Sequence, residues 1–81
     1  MTSKPYIEKS VWKNYKKQVG QNIQAAREAK GLTQQQFSEQ TKYPIKLLSN
    51  FENKGTAIKL YDLLHIAHSL DIPPEDLLKQ N

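Results

Sequence analysis

Residues 33–55 read TQQQFSEQTKYPIKLLSNFENKG, and the rest of the 81-residue chain is arranged around how that stretch folds. Thr33 followed by Gln36 fits a capping box, and Leu32 before it with Phe37 after it fits the hydrophobic staple that sets the direction of a helix start. A helix therefore begins at Thr33, with Phe37 as its main apolar anchor. It stops near Thr41, because Pro44 biases Tyr43 away from helical backbone and restarts the chain at a new angle. A second helix is predicted over residues 44–53. On it Leu48 and Phe51 face inward, while Lys46, Ser49, Asn50 and Asn53 fall on other sides.

Two short helices joined by a tight turn make the pattern of a helix-turn-helix, with its core at residues 33–53. Arg27, the run Gly31-Leu32-Thr33-Gln34 through Phe37, and then Ser49, Phe51 and Glu52 resemble the Cro/CI-type (XRE family) helix-turn-helix domain of phage repressors and small bacterial regulators. Residues 63–78, LLHIAHSLDIPPEDLL, are similar to that family's fourth and fifth helices. The likeness spans roughly residues 19–78. It implies an all-α, compact, four- to five-helix, lambda-repressor-like DNA-binding domain, here with an N-terminal helical extension.

What the resemblance implies about function is a sequence-specific, DNA-binding transcriptional regulator, expected to be a repressor, acting as a homodimer on double-stranded DNA. Half-sites about one helical turn, ~34 Å, apart are then expected. An α-helix fits the major groove, where asparagine can pair bidentately with adenine, lysine can donate to guanine and an apolar side chain can touch the thymine methyl. On that chemistry Asn50 reads adenine, Lys46 guanine and Ile45 thymine, and the family's base-contact positions fall on Ile45, Lys46, Ser49 and Asn50. Phosphate contacts are implied for Gln34, at the start of the first helix of the pair, and for Lys42, Asn53 and Lys54. Arg27 stands where the family places an arginine paired with the glutamate ending the recognition helix, so Arg27 and Glu52 are expected to form a structural ion pair. The turn departs from the family: Lys42 occupies a position usually held by glycine and Ser38 one usually held by alanine. Lys42 then needs left-handed backbone, or the turn takes another shape.

The bulk numbers agree with one small domain. Hydrophobic residues make up 37% and charged residues 25%, enough apolar content for a modest core. Residues 1–9 are expected to be a mobile arm and residues 10–81 a single helix-turn-helix domain. With no cysteine, neither a disulfide framework nor a cysteine-based zinc site is available. No apolar run reaches a membrane-spanning length and no signal-peptide segment is evident, so a cytoplasmic location is expected. The net charge of +4 is unevenly spread. Residues 1–30 hold seven basic and two acidic side chains, whereas residues 56–81 hold two basic and four acidic ones. Nucleic acid would favour the first part and avoid the second.

Trp12, Tyr15, Val19, Ile23 and Ala26 recur at helical spacing, and Gly20 either splits this helix or is absorbed into it. Trp12 and Tyr15 pack against the last helices or serve as a dimer contact. Lys9, Lys13, Lys16 and Lys17 suit phosphate contact and equally suit a solvated face. Lys30-Gly31 closes the helix, with glycine at its C′ position. Thr56 is read as the cap of the fourth helix, with Leu60, Leu63, Leu64, Ala67 and Leu70 as its core stripe. Proline and acids after Asp71 start a short last helix, whose Leu77 and Leu78 close the core or reach a partner.

An enzyme is not indicated. No Gly-rich phosphate loop or nucleophile motif occurs, and His65 with His68 lacks further metal ligands, so no cofactor, metal or small-molecule ligand is implied. The competing reading is a protein-interaction module of the same fold, antitoxin-like, antirepressor-like or a bridging factor, using an exposed apolar edge of Ile45 and Leu47.

Overall fold

The computed structural model describes residues 6–80; Met1 to Pro5, most of the expected arm, lie outside the described residues together with Asn81. Five helices follow in order: α1 (Lys9–Ala29), α2 (Gln34–Thr41), α3 (Ile45–Asn53), α4 (Leu60–Ser69) and α5 (Glu75–Leu78). Helix α1 lies against α3 and α5, and α2 against α3 and α4. Ile23, Phe37, Leu48, Phe51, Leu63, Ile66, Ala67, Leu70 and Leu77 fill the space between them.

Each boundary has a local cause. Glycine is absorbed at position 20, so that one unbroken α1 carries both the N-terminal extension and the segment that holds Arg27. The helix ends in a Schellman motif: Gly31 at φ 72° turns the chain, its N–H donates to the Glu28 carbonyl, and the Leu32 N–H donates to the Arg27 carbonyl. Leu32 packs back on the core. At α2 the Thr33 hydroxyl accepts from the Gln36 N–H while the Gln36 side chain accepts from the Thr33 N–H, the complete capping box. A second Schellman motif, with Asp71 at φ 56°, ends α4.

Three sequence expectations are corrected. Thr56 does not cap α4, because an extended stretch carries the chain on to Lys59, the N-cap, whose side chain makes no cap hydrogen bond. With the helix starting that late, Leu60 falls in a first turn outside the core and is 70% exposed; Leu64 is 44% exposed, and the inward positions are Leu63, Ile66, Ala67 and Leu70. Trp12 and Tyr15 are not covered by the last helices, remaining 47% and 43% exposed. With Ile7, Ile58 and Leu78 they border an open apolar groove of about 410 Å³ between α1, α4 and α5.

The C-terminal helix is held from α1. Asn22 accepts from Gln18 and donates its two amide hydrogens to the Leu77 and Lys79 carbonyls at 3.0 and 2.7 Å. Leu77 is fully buried beneath this clamp, while Leu78 faces solvent.

Candidate nucleic-acid interface

The segment expected to face a duplex is α3, and its orientation is fixed from both neighbours. Leu48, Phe51 and Glu52 are buried on one side. At about 100° per residue, Lys46, Asn50 and Asn53 then point away from the core, with Ser49 and Lys54 flanking them. Lys46, Asn53 and Lys54 are exposed and Ser49 and Asn50 half-buried, so these side chains form one outward surface. Asn53 donates to the Ser49 hydroxyl at 3.2 Å, tying the two together along one turn. Ile45, 42% exposed, sits at the start of the helix. Leu47 does not share that exposure: it is half-buried against the core, so the expected apolar edge reduces to Ile45.

The end of α3 is anchored by a buried ion pair. Arg27 Nε donates to Glu52 Oε2 at 2.8 Å and its Nη2 to Oε1 at 3.2 Å, while Nη1 donates to the Leu32 carbonyl at 2.7 Å. Both side chains are nearly inaccessible, so the guanidinium joins α1, the α1–α2 turn and α3 at one point. Gln34 belongs to this network as well, its amide nitrogen donating to Glu52 Oε1 at 3.2 Å. That link holds the Gln34 side chain at the N-terminal end of α2, where exposed backbone N–H groups and the helix dipole favour an anion. One hydrogen of the amide is engaged by Glu52, and the amide carries a second.

The turn between α2 and α3 is built on Lys42, which takes left-handed backbone (φ 67°, ψ 18°), the first of the two shapes its sequence position allowed. Its N–H donates to the Ser38 carbonyl, and Ser38 in turn donates its hydroxyl to the Tyr43 carbonyl, closing the turn from inside. Lys42 itself is exposed. Tyr43 ties the turn to α4: its hydroxyl donates to Asp62 at 2.7 Å and its ring stacks on His65, 4.9 Å between centroids. His65 Nε2 donates to the Thr41 carbonyl at 2.8 Å, which assigns its proton to that nitrogen. Burial, then the hydrogen bond to Asp62 and the charge beside it, push the Tyr43 phenol up to about 12.

Two participants escaped sequence reading. Gly20 brings α1 against the backbone of α3: a Cβ there would lie 2.1 Å from the Phe51 carbonyl oxygen. Nothing local to Gly20 announces that contact. The Tyr43–Asp62–His65 group was equally hidden, because its members come from the turn and from α4. Among the described residues no group of acids and histidines is placed to hold a metal ion, and no helix is long and apolar enough to cross a membrane.

The outward face of α3, backed by a buried ion pair and preceded by a tightly closed turn, is the arrangement by which a helix is presented to a duplex. No curated protein matches the chain, and no solved structure does. A family model described as a helix-turn-helix domain matches residues 20–81, more than half of the chain. The chain thus belongs to the helix-turn-helix domain family, and that membership points to DNA binding.

Proposed function

We propose that this is a sequence-specific DNA-binding regulator of the Cro/CI type, a repressor that acts as a homodimer and reads the major groove with α3. The observation that carries the reading is the two-sidedness of α3: Leu48, Phe51 and Glu52 are buried, while Lys46 and Asn50 stand on the opposite side. Those two side chains carry the donor and acceptor sets that distinguish guanine and adenine. Ile45 and Ser49 complete the base-facing set, and Gln34, Lys42, Asn53 and Lys54 take phosphates around it. The Arg27–Glu52 pair holds the end of α3 in place without touching DNA. The groove bordered by Trp12, Tyr15 and Leu78 supports a second copy as partner, since a solvent-facing apolar patch of this kind marks an interaction surface.

That same groove favours a second reading, a protein-interaction module that does not read DNA sequence. Selection of bound duplexes from random DNA separates the two. A recovered motif, with half-sites about one helical turn apart, supports the regulator. Lys46→Ala and Asn50→Ala should each cost roughly 1–3 kcal/mol at particular base pairs of that motif. A motif unchanged by both substitutions would refute the base-reading assignment, and the absence of any motif would leave the interaction module.

A further inference from the structure

We propose that Lys13 and Lys17 of α1, together with Lys54 after α3, grip the phosphodiester backbone of duplex DNA beside the recognition helix. The N-terminal half of α1 then widens the footprint beyond α3. This rests on the DNA-binding reading above and assigns a function to the helical extension.

The geometry comes from the face that α1 turns toward α3. Seven residues make close to two helical turns, so Lys13, Gly20 and Arg27 lie on one side of α1, each offset by about 20° from the next. Arg27 grips Glu52, and Gly20 sits against the carbonyl oxygens of Phe51 and Glu52. Followed back toward the N-terminus, the same line reaches Lys13 about 10 Å beyond Gly20, past the contact with the end of α3. Lys17 lies between them. A Cβ on Gly55 would be 3.6 Å from the Lys17 Cα, so the backbone carrying Lys17 abuts the residue after Lys54. The side of α1 that clamps α3 therefore continues as lysines next to the exit of the recognition helix.

The electrostatics point the same way. Lys13, Lys17 and Lys54 are exposed. The ion pairs among the described residues join Arg27 to Glu28 and Glu52, and Lys79 to Asp76, so none of the three lysines is neutralised. Residues 9–27 contain no acid, and the one acid of α3, Glu52, is buried and paired. Lys16 differs, its ammonium lying 5.4 Å from the centre of the Trp12 ring. A lysine ammonium is a compact point charge that holds phosphate without the geometry base recognition needs. Contacts from these lysines should strengthen binding to every sequence alike.

The test is the salt dependence of binding to the selected duplex, and to an unrelated one, by the full chain and by Lys13→Ala/Lys17→Ala. Alanine favours helix, so the extension stays formed, which circular dichroism checks. Lys30→Ala/Lys79→Ala removes equal charge from elsewhere on the surface. The expected result is a slope of log affinity against log salt lower by about 2 for the first variant only. Both duplexes should lose affinity equally, and hydroxyl-radical protection should shrink at the outer edge of the footprint. An unchanged slope, or an equal fall in the control variant, would overturn the proposal while leaving base reading by α3 intact. Failure of the unaltered chain to bind any duplex would remove both.

Discussion

Gly20 of α1 lies directly against the Phe51 carbonyl of α3, closer than any residue with a side chain could come: an added Cβ would be 2.1 Å from the oxygen and 3.2 Å from the carbon. Backbone on both sides of the contact leaves no flexible group to move aside. Gly20→Ala gains about 1 kcal/mol of helix propensity yet should destabilise the fold by roughly 1–3 kcal/mol through overpacking. Urea denaturation reads the balance. A more stable variant would show that α1 and α3 are not in this contact in solution.

Removing one partner of the Arg27–Glu52 pair strands the other charge in a site with almost no water access. Glu52→Ala should therefore cost on the order of 3–5 kcal/mol. Arg27→Met/Glu52→Leu, which takes away both charges, should cost much less than the sum of the single changes. A double-mutant cycle with additive losses would mean the pair is open to solvent.

Tyr43 gives a pH signature. Its folded-state phenol is raised from 10.0 to about 12, so stability from this group is fully present below pH 10 and is lost as pH rises through 12. Between those values the unfolded chain releases a proton that the folded one keeps. Tyr43→Phe should be less stable at neutral pH, having lost the bond to Asp62, and should show a shallower decline above pH 10. Parallel stability curves for the two proteins would contradict the link to α4.

Lys42→Gly separates fold from function. Left-handed backbone costs a residue with a side chain about 1–2 kcal/mol, offset by roughly 0.4–1 kcal/mol from the greater freedom of glycine in the unfolded chain. Thermal unfolding should show a net gain of about 0.5–1 kcal/mol. Binding to all duplexes should weaken at the same time, because a charge proposed to face phosphate is gone.

What could be read in the sequence depended on distance along the chain. Thr33 and Gln36 are three residues apart, and Gly31 follows the helix that it ends, so local chemistry alone located both features. Phe37, Leu48 and Phe51 were recognisable as core from their spacing. The α4 start was misplaced because Thr56 has the right chemistry for a cap, but Ile58 turns into the core and draws the chain out until Lys59. Trp12 and Tyr15 were read from their helical spacing as packing against the last helices or as a dimer contact, and the first of these fails because no element among the described residues covers that part of α1. For the candidate site, α3 and its outward residues followed from periodicity. The link from Gln34 to Glu52 and the approach of Lys17 to Gly55 join segments far apart in sequence, and no local pattern encodes them.

The clamp made by Asn22 has a further consequence. Both hydrogens of one amide hold the last short helix to α1, at the Leu77 and Lys79 carbonyls. Exchanging that amide for a carboxylate, as in Asn22→Asp, would aim negative oxygen at two carbonyl oxygens and turn a latch into a repeller. Leu78 and Gln80 form one rim of the apolar groove, so peeling away this tail would dismantle the groove while α3, anchored from a different face of α1 by Gly20 and Arg27, kept its posture. The proposed pairing of subunits and the proposed grip on DNA would then come apart as two separable properties of an 81-residue chain.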